Sequence, residues 1–199
     1  VKLLLATSNE GKLAELRELL APLGFELLSL ADAALPPPDE TGVTFHDNAA
    51  AKATECAAQS GMWTLADDSG LCIDALAGGP GVRSARYAAT DEARRAKLLG
   101  ALEAVPEARR GAHFFCAVAL SAPGGRQMYR AEGRVEGRIA RAARGEKGFG
   151  YDPVFLPAET PGRTLAELDP PEKNRLSHRG RALERLRPLL ERLARDGAL

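Results

Sequence analysis

The chain lacks an excess of charge of either sign. Lys and Arg together number 27 and so do Asp and Glu, giving a formal net charge of zero. A protein whose main task is to coat nucleic acid or an anionic membrane needs a net basic surface, so that class is disfavoured, while a local basic pocket stays open. No stretch approaches the roughly 20 consecutive apolar residues of a membrane span. The opening VKLLLATSNEGK contains an apolar run shorter than the ~7–15 residues of a signal-peptide core. Cysteine is scarce: Cys56, Cys72 and Cys116 are odd in number and form no C-x-x-C, which argues against a disulfide framework or a zinc ribbon. His46, His113 and His178 lie far apart, so a histidine-based metal site is disfavoured as well. There is no internal repeat and no low-complexity tract. A cytoplasmic, reduced setting is expected.

What is present is the composition of a globular protein, 45% hydrophobic and 27% charged over 199 residues. That length suffices for one good core or for two small lobes sharing a sheet. Hydrophobic periodicity predicts strands at 2–6 and 25–30 and helices at 10–20 and 45–60, the second capped by Thr44. Short strands are expected at 63–66 and 71–73 around DDSG, then a loop at AGGPGVRSARY and a Thr90-capped helix over 91–103. A strand at 113–120 precedes one or two antiparallel strands in RQMYRAEGRVEGRI. A short helical turn near 169–175 leads to a final helix over 179–195, with Leu183, Leu186, Leu190 and Leu193 as its stripe and Pro188 as its point of bending. Helices alternate with strands early and strands cluster in the middle, which predicts an α/β protein with a mixed sheet.

The unusual residues concentrate in the polar and glycine-rich loops. LLLATSNEGKLAEL, Leu3 to Leu16, approaches the phosphate-cradling pattern G-x-x-x-x-G-K-[ST], but Ala6 and Leu13 stand at two of its fixed positions. A strand, a polar turn and a helix N-terminus remain, and such an arrangement can still hold an anion. ADDSGLCID sets two adjacent acids at the end of an apolar strand. Strand neighbours point to opposite faces, so without a turn Asp67 and Asp68 cannot both serve one site. One of them is read as functional and the other as a turn or capping residue, with an Asx-turn into Ser69-Gly70 as the competing reading. DETG, Asp39 to Gly42, is either a second acid pair or a solvated loop. Carboxylates from two loops without histidine suit a hard cation such as Mg²⁺. GEKGFGYDPVF lets backbone approach a ligand and sets Phe149 and Tyr151 beside Asp152; the rings either receive a nucleobase or plug the core. Lys173, His178 and Arg179 in EKNRLSHRGRAL lie ahead of the last helix and are the better cationic candidates, the later arginines reading as a solvated face.

Taken in order, ATSNEGKLAEL, DETGVTFHDNAAAKA, ADDSGLCIDALAGGPGVRSARY, KGFGYDPVF and EKNRLSHRGRAL resemble the non-canonical purine nucleoside triphosphate pyrophosphatases, the inosine/xanthosine triphosphate pyrophosphatase family. The resemblance covers nearly the whole chain. It implies a single domain over residues 1–199 with an elongated two-lobed α/β fold, a central mixed sheet flanked by helices and an active-site cleft between the lobes. It also implies Mg²⁺ as cofactor, a small-molecule nucleotide as substrate and a homodimer. The reaction implied is hydrolysis of ITP, dITP and XTP to the monophosphate and pyrophosphate. By the same resemblance the phosphate-binding turn falls on Thr7, Ser8, Asn9, Glu10, Gly11 and Lys12, with Lys52 a further basic residue near the phosphates. Glu40 and Asp68 match metal-binding acids, Asp47 being the alternative to Glu40, and Asp68 also matches the proton acceptor. Ser69, Phe149, Gly150, Tyr151, Asp152, Lys173, His178 and Arg179 match nucleotide contacts. Lys12, Lys52 and Lys173 would act as point charges, and His178 and Arg179 as donors to a 6-oxo purine. The nearest rival is the septum-inhibition family of nucleotide pyrophosphatases, whose opening turn is serine- and arginine-rich; TSNEGK and SHRGRAL fit the purine family better.

Overall fold

Leu3, Leu4 and Leu5 are wholly buried in the first strand, β1 (Lys2–Leu5), which lies inside the sheet with a parallel neighbour on either side. Such double-sided burial is what a short continuous apolar run predicts. The computed structural model describes Val1–Leu199. Helix α1 (Glu10–Leu20) follows, capped by Asn9 and stopped by a 3-10 turn, Ala21–Leu23, that carries Pro22 and ends on Gly24 at φ 72°. β2 (Glu26–Ser29) pairs parallel with β1, Lys2 opposite Glu26 and Leu5 opposite Ser29. Thr44 caps α2 (Phe45–Ser60) as expected, its side chain accepting the Asp47 N–H.

β3 (Trp63–Ile73) is one unbroken strand of 11 residues, parallel to β1 with Leu3 opposite Trp63. This corrects the expectation of two short strands around a DDSG turn. Asp, Ser and Gly favour turns in isolation, but here they continue a strand of the sheet that begins beside β1 at Trp63–Leu65, and the sheet's ladder hydrogen bonds must be kept. AGGPGVRSARY, expected as a plain loop, contains a six-residue 3-10 helix, Gly81–Arg86. Helix α3 (Asp91–Ala101) is capped by Thr90, and β4 (Gly111–Ser121) and β5 (Met128–Ile139) are each single strands. β6 (Phe155–Pro157), which the periodicity does not announce, pairs antiparallel with the end of β5. Two helices close the chain, α4 (Pro170–Leu176) and α5 (His178–Asp196). The sheet order is β2-β1-β3-β4-β5-β6, and its parallel and antiparallel pairs make it mixed, as expected.

The chain forms two compact units, Val1–Asp68 with Cys116–Gly133 and Arg179–Leu199, and Ser69–Phe115 with Arg134–His178. In the first, Leu3, Leu5, Leu16 and Leu20 share a core with Val118, Leu120 and the α5 stripe Leu183, Leu186, Leu190 and Leu193. Each buried leucine contributes about 1.5–3 kcal/mol. Together the four outweigh the ~3 kcal/mol that Pro188 costs within a helix, and α5 runs through it. The second unit packs Leu71, Ile73, Leu98, Phe114, Val135, Ile139 and Phe155.

Candidate active site

In the first unit, the chain leaves β1 and turns into α1 through residues that bond to themselves. Thr7 Oγ1 accepts the Asn9 N–H at 3.2 Å, and Asn9 Oδ1 accepts the Lys12 N–H at 3.0 Å. Ser8, Asn9 and Glu10 are exposed, whereas Lys12 folds inward and its Nζ lies 3.1 Å from Asp67 Oδ2. The same carboxylate oxygen accepts from Arg179 Nε at 3.2 Å and Nη2 at 3.0 Å. Arg179 Nη1 in turn donates to Glu15 on α1. Half-buried Lys12 and buried Asp67, Arg179 and Glu15 thus form one chain of alternating charge.

Because β3 has no turn at DDSG, its two acids face opposite sides. Asp67 meets α1 and α5, while Asp68 accepts from Asn48 Nδ2 of α2 at 2.8 Å. Asp67 is therefore an ion-pair hub and not a turn or capping residue. Burial pushes both carboxyls up. At Asp67 the charges of Lys12, Arg179 and Lys52 outweigh burial and hold the carboxyl well below the usual carboxylate range. At Asp68 burial wins over Lys52, Lys12 and the Asn48 bond, with Glu40 adding to the rise, so this carboxyl sits above its ordinary value. Lys52 is 4% exposed. Burial would discharge it, but Asp67, Glu40 and Asp68 overcome that and raise it, and its Nζ donates to Glu40 Oε1 at 2.6 Å. Asp47 is engaged otherwise: its carboxylate accepts from the capping Thr44 hydroxyl at 2.7 Å. No group of three or more His, Cys, Asp or Glu side chains is gathered to hold a metal ion.

Two residues of this cluster escaped the sequence reading. Asn48 donates to Asp68 and its Oδ1 accepts the Gly42 N–H at 2.7 Å, tying the DETG loop to α2. It stands inside the DETGVTFHDNAAAKA motif, where an asparagine at the head of an alanine-rich helix is the available signal. Glu15 gave none.

The second unit holds a cluster of another kind. Asp152 Oδ2 accepts the Phe149 N–H at 2.8 Å and Lys173 Nζ at 2.6 Å, and that Nζ lies 4.8 Å from the centre of the Phe149 ring. Gly148 is at φ +73°, and a Cβ there would come within 2.2 Å of Asp152 Oδ2, so only glycine leaves room for this pairing. Phe149 is half-buried and Ser69 likewise. Tyr151 belongs to the core: it is buried, its hydroxyl donates to the Ser84 carbonyl at 2.9 Å, and burial raises its phenol. His178 stacks on Phe114, ring centres 4.7 Å apart and 7° from parallel. Of the two donors expected to face a base, Arg179 is 1% exposed and turned onto Asp67 and Glu15. That placement replaces the base-facing position read from the sequence. A guanidinium with two buried carboxylates in reach has no reason to leave them.

The Ham1 family model matches residues 3–189. A dITP/XTP pyrophosphatase of Desulforamulus reducens is 49% identical over 97% of this chain and 97% of its own length. One of Gloeobacter violaceus is 51% identical over 92% of this chain and 91% of its own. Among solved structures, a HAM1 protein from Coxiella burnetii superposes with a TM-score of 0.84 at 47% identity, covering 96% of this chain and 98% of that one. The family resemblance carried by the five motifs is thereby borne out, and the chain belongs to the Ham1 family.

Proposed function

We propose that this protein hydrolyses non-canonical purine nucleoside triphosphates, dITP, ITP and XTP, to the monophosphate and pyrophosphate. The observation that carries the reading is near-full-length similarity, at about half of all positions, to proteins named dITP/XTP pyrophosphatase. The geometry supports a division of labour. Two adjacent acids whose surroundings push their carboxyls in opposite directions are the pattern that separates a fixed anion from a proton acceptor. Asp68 takes the proton of a water whose oxygen bonds to the α-phosphorus, the bond from that phosphorus to the bridging oxygen breaks, and pyrophosphate leaves. Asp67 stays ionised and orients Lys12. Lys12 and Lys52 stabilise the negative charge that gathers on the phosphate oxygens, and the Thr7–Lys12 turn offers hydroxyls and helix N–H groups to the same chain.

Glu40 and Asp68 are the carboxylates that would hold Mg²⁺. Both are hard oxygen donors, and each contributes to the charge around Lys52. Two protein carboxylates, with water and substrate phosphate completing the shell, suit that ion. When bound it would neutralise phosphate oxygens and make the α-phosphorus more electrophilic. Base recognition is assigned to Phe149, Asp152, Lys173 and His178, with Gly150 next to Phe149 and Ser69 next to Asp68 as further nucleotide contacts. Arg179 is reassigned from the base to the orientation of Asp67. A homodimer and a cytoplasmic setting complete the reading, supported by the family resemblance; no helix is long and apolar enough to cross a membrane. Incubation with ITP and Mg²⁺ should release pyrophosphate and inosine monophosphate in equal amounts, with ATP far slower. Release of single phosphates, or no release from any purine triphosphate, would overturn it.

A further inference from the structure

The loop that carries Phe149 is held by a helix to which no role has yet been given. Gly150 is at φ +60°, and both of its peptide groups are claimed by α3. Its N–H donates to Asp91 Oδ2 at 2.7 Å, and its carbonyl accepts from Arg95 Nη1 at 2.7 Å. Positions 91 and 95 are one helical turn apart and share a face, so the two side chains reach the two peptide groups that flank the Gly150 Cα from one rigid support. Asp91 is itself steadied by Arg94 through its other oxygen, and Arg94 Nε donates to the Ala88 carbonyl at 2.9 Å. Just beyond, Lys97 Nζ donates to the Tyr87 carbonyl at 3.0 Å and lies 4.3 Å above its ring. The polar face of α3 therefore binds two loops at once, 87–88 and 149–152.

Gly150 sits between Phe149, whose N–H is fixed by Asp152, and Tyr151, whose ring is fixed in the core. With the peptide groups on both sides of Gly150 held, the Phe149 backbone is restrained, and its ring turns only about its own side-chain dihedrals. Charge-assisted bonds of this length are the strong ones. We propose that Asp91 and Arg95 are positioning residues for purine recognition, acting through Gly150 to hold the Phe149 ring and the Asp152–Lys173 pair at a fixed spacing. They touch neither phosphate nor reacting atoms. The inference rests on the reading of Phe149, Asp152 and Lys173 as the base-binding group.

The test compares Asp91→Ala and Arg95→Met with Asp91→Asn and Arg95→Lys in the full-length protein. Loss of one charged hydrogen bond should raise KM for ITP by about tenfold while kcat falls less than about threefold. Inhibition by tripolyphosphate, which has no base, should be unchanged. Asp91→Asn and Arg95→Lys, which keep an acceptor and a donor, should recover most of the loss. Asp91 also stands in the first turn of α3, so thermal unfolding is recorded for each variant. Arg95→Met, outside the cap, serves as the variant that leaves the helix start intact. A wild-type KM in both truncations, or equal weakening of ITP and tripolyphosphate, would overturn the positioning role. Failure of the wild-type protein to act on ITP would instead overturn the functional reading beneath it.

Discussion

Each unit buries an arginine almost completely, and the two are accommodated in opposite ways. Arg179 in the first unit is neutralised by Asp67 and Glu15, which, outweighing burial, hold its guanidinium above its ordinary value. Arg110 in the second donates to the carbonyls of Ile139, Leu102 and Ala140 at 2.9, 2.6 and 2.8 Å, and burial lowers it. Carbonyls satisfy the hydrogen-bonding geometry of a guanidinium without answering its charge; carboxylates do both. Arg110 therefore ties the end of α3 to the end of β5, a mechanical task. Arg179 sets the ionisation of an acid next to the proposed proton acceptor. Burial of a charged side chain says little by itself, and the chemistry of its partners separates a staple from a part of the candidate site.

The largest effect expected is on Asp68, the proposed proton acceptor. Asp68→Asn should lower kcat on ITP by about 10²–10⁴-fold with the unfolding midpoint near wild type. A residual rate above about a tenth of wild type would remove it from the proton-acceptor role.

Asp67→Asn should act mainly on stability, costing about 3–5 kcal/mol by leaving the buried Arg179 and the half-buried Lys12 with less counter-charge, read from urea unfolding. The pH dependence has a definite sign. A carboxyl lowered in the folded state contributes stability above its ordinary value of 3.8, and that contribution fades as pH falls toward the lowered value. The gap between wild type and Asp67→Asn should therefore be full near neutrality and shrink below about pH 4. A gap that widens in acid would contradict the ion-pair assignment.

The two arginines themselves provide the sharpest contrast. Arg110→Met strands carbonyl acceptors and should cost about 1–3 kcal/mol, with kcat of the folded protein unchanged. Arg179→Ala should lower kcat/KM for ITP and for ATP in parallel, because it disturbs Asp67 and not the base. Loss confined to ITP would return Arg179 to base reading. The smallest effect is expected for Lys12→Ala, about tenfold weaker inhibition by triphosphate than wild type with little change for inosine monophosphate.

Much of the fold is legible in the residues because its signals are local. Helices over Glu10–Leu20 and Phe45–Ser60 begin and end where caps, proline and glycine say they should. β3 is misread by the same local logic, since DDSG has turn chemistry and only its neighbours in the sheet impose extension. β6 is three residues long and is defined by its pairing with β5. The motif order identified the family, yet the role of Arg179 was out of reach: its partners Asp67 and Glu15 lie 112 and 164 positions away. Periodicity cannot report an ion pair that spans most of the chain.

The unbroken course of β3 past its two acids also has a consequence for mutational tolerance. Identical neighbours on a strand are interchangeable in composition but not in position, since a slip of one residue turns every side chain to the other face. A single-residue deletion between Trp63 and Ala66 would present Asp68 to Lys12 and Arg179, where Asp67 stood, and Ser69 to Asn48. The strand would keep its charge count and lose its proposed proton acceptor. The stretch ahead of the acids is thus constrained in its length as well as in the side chains it buries.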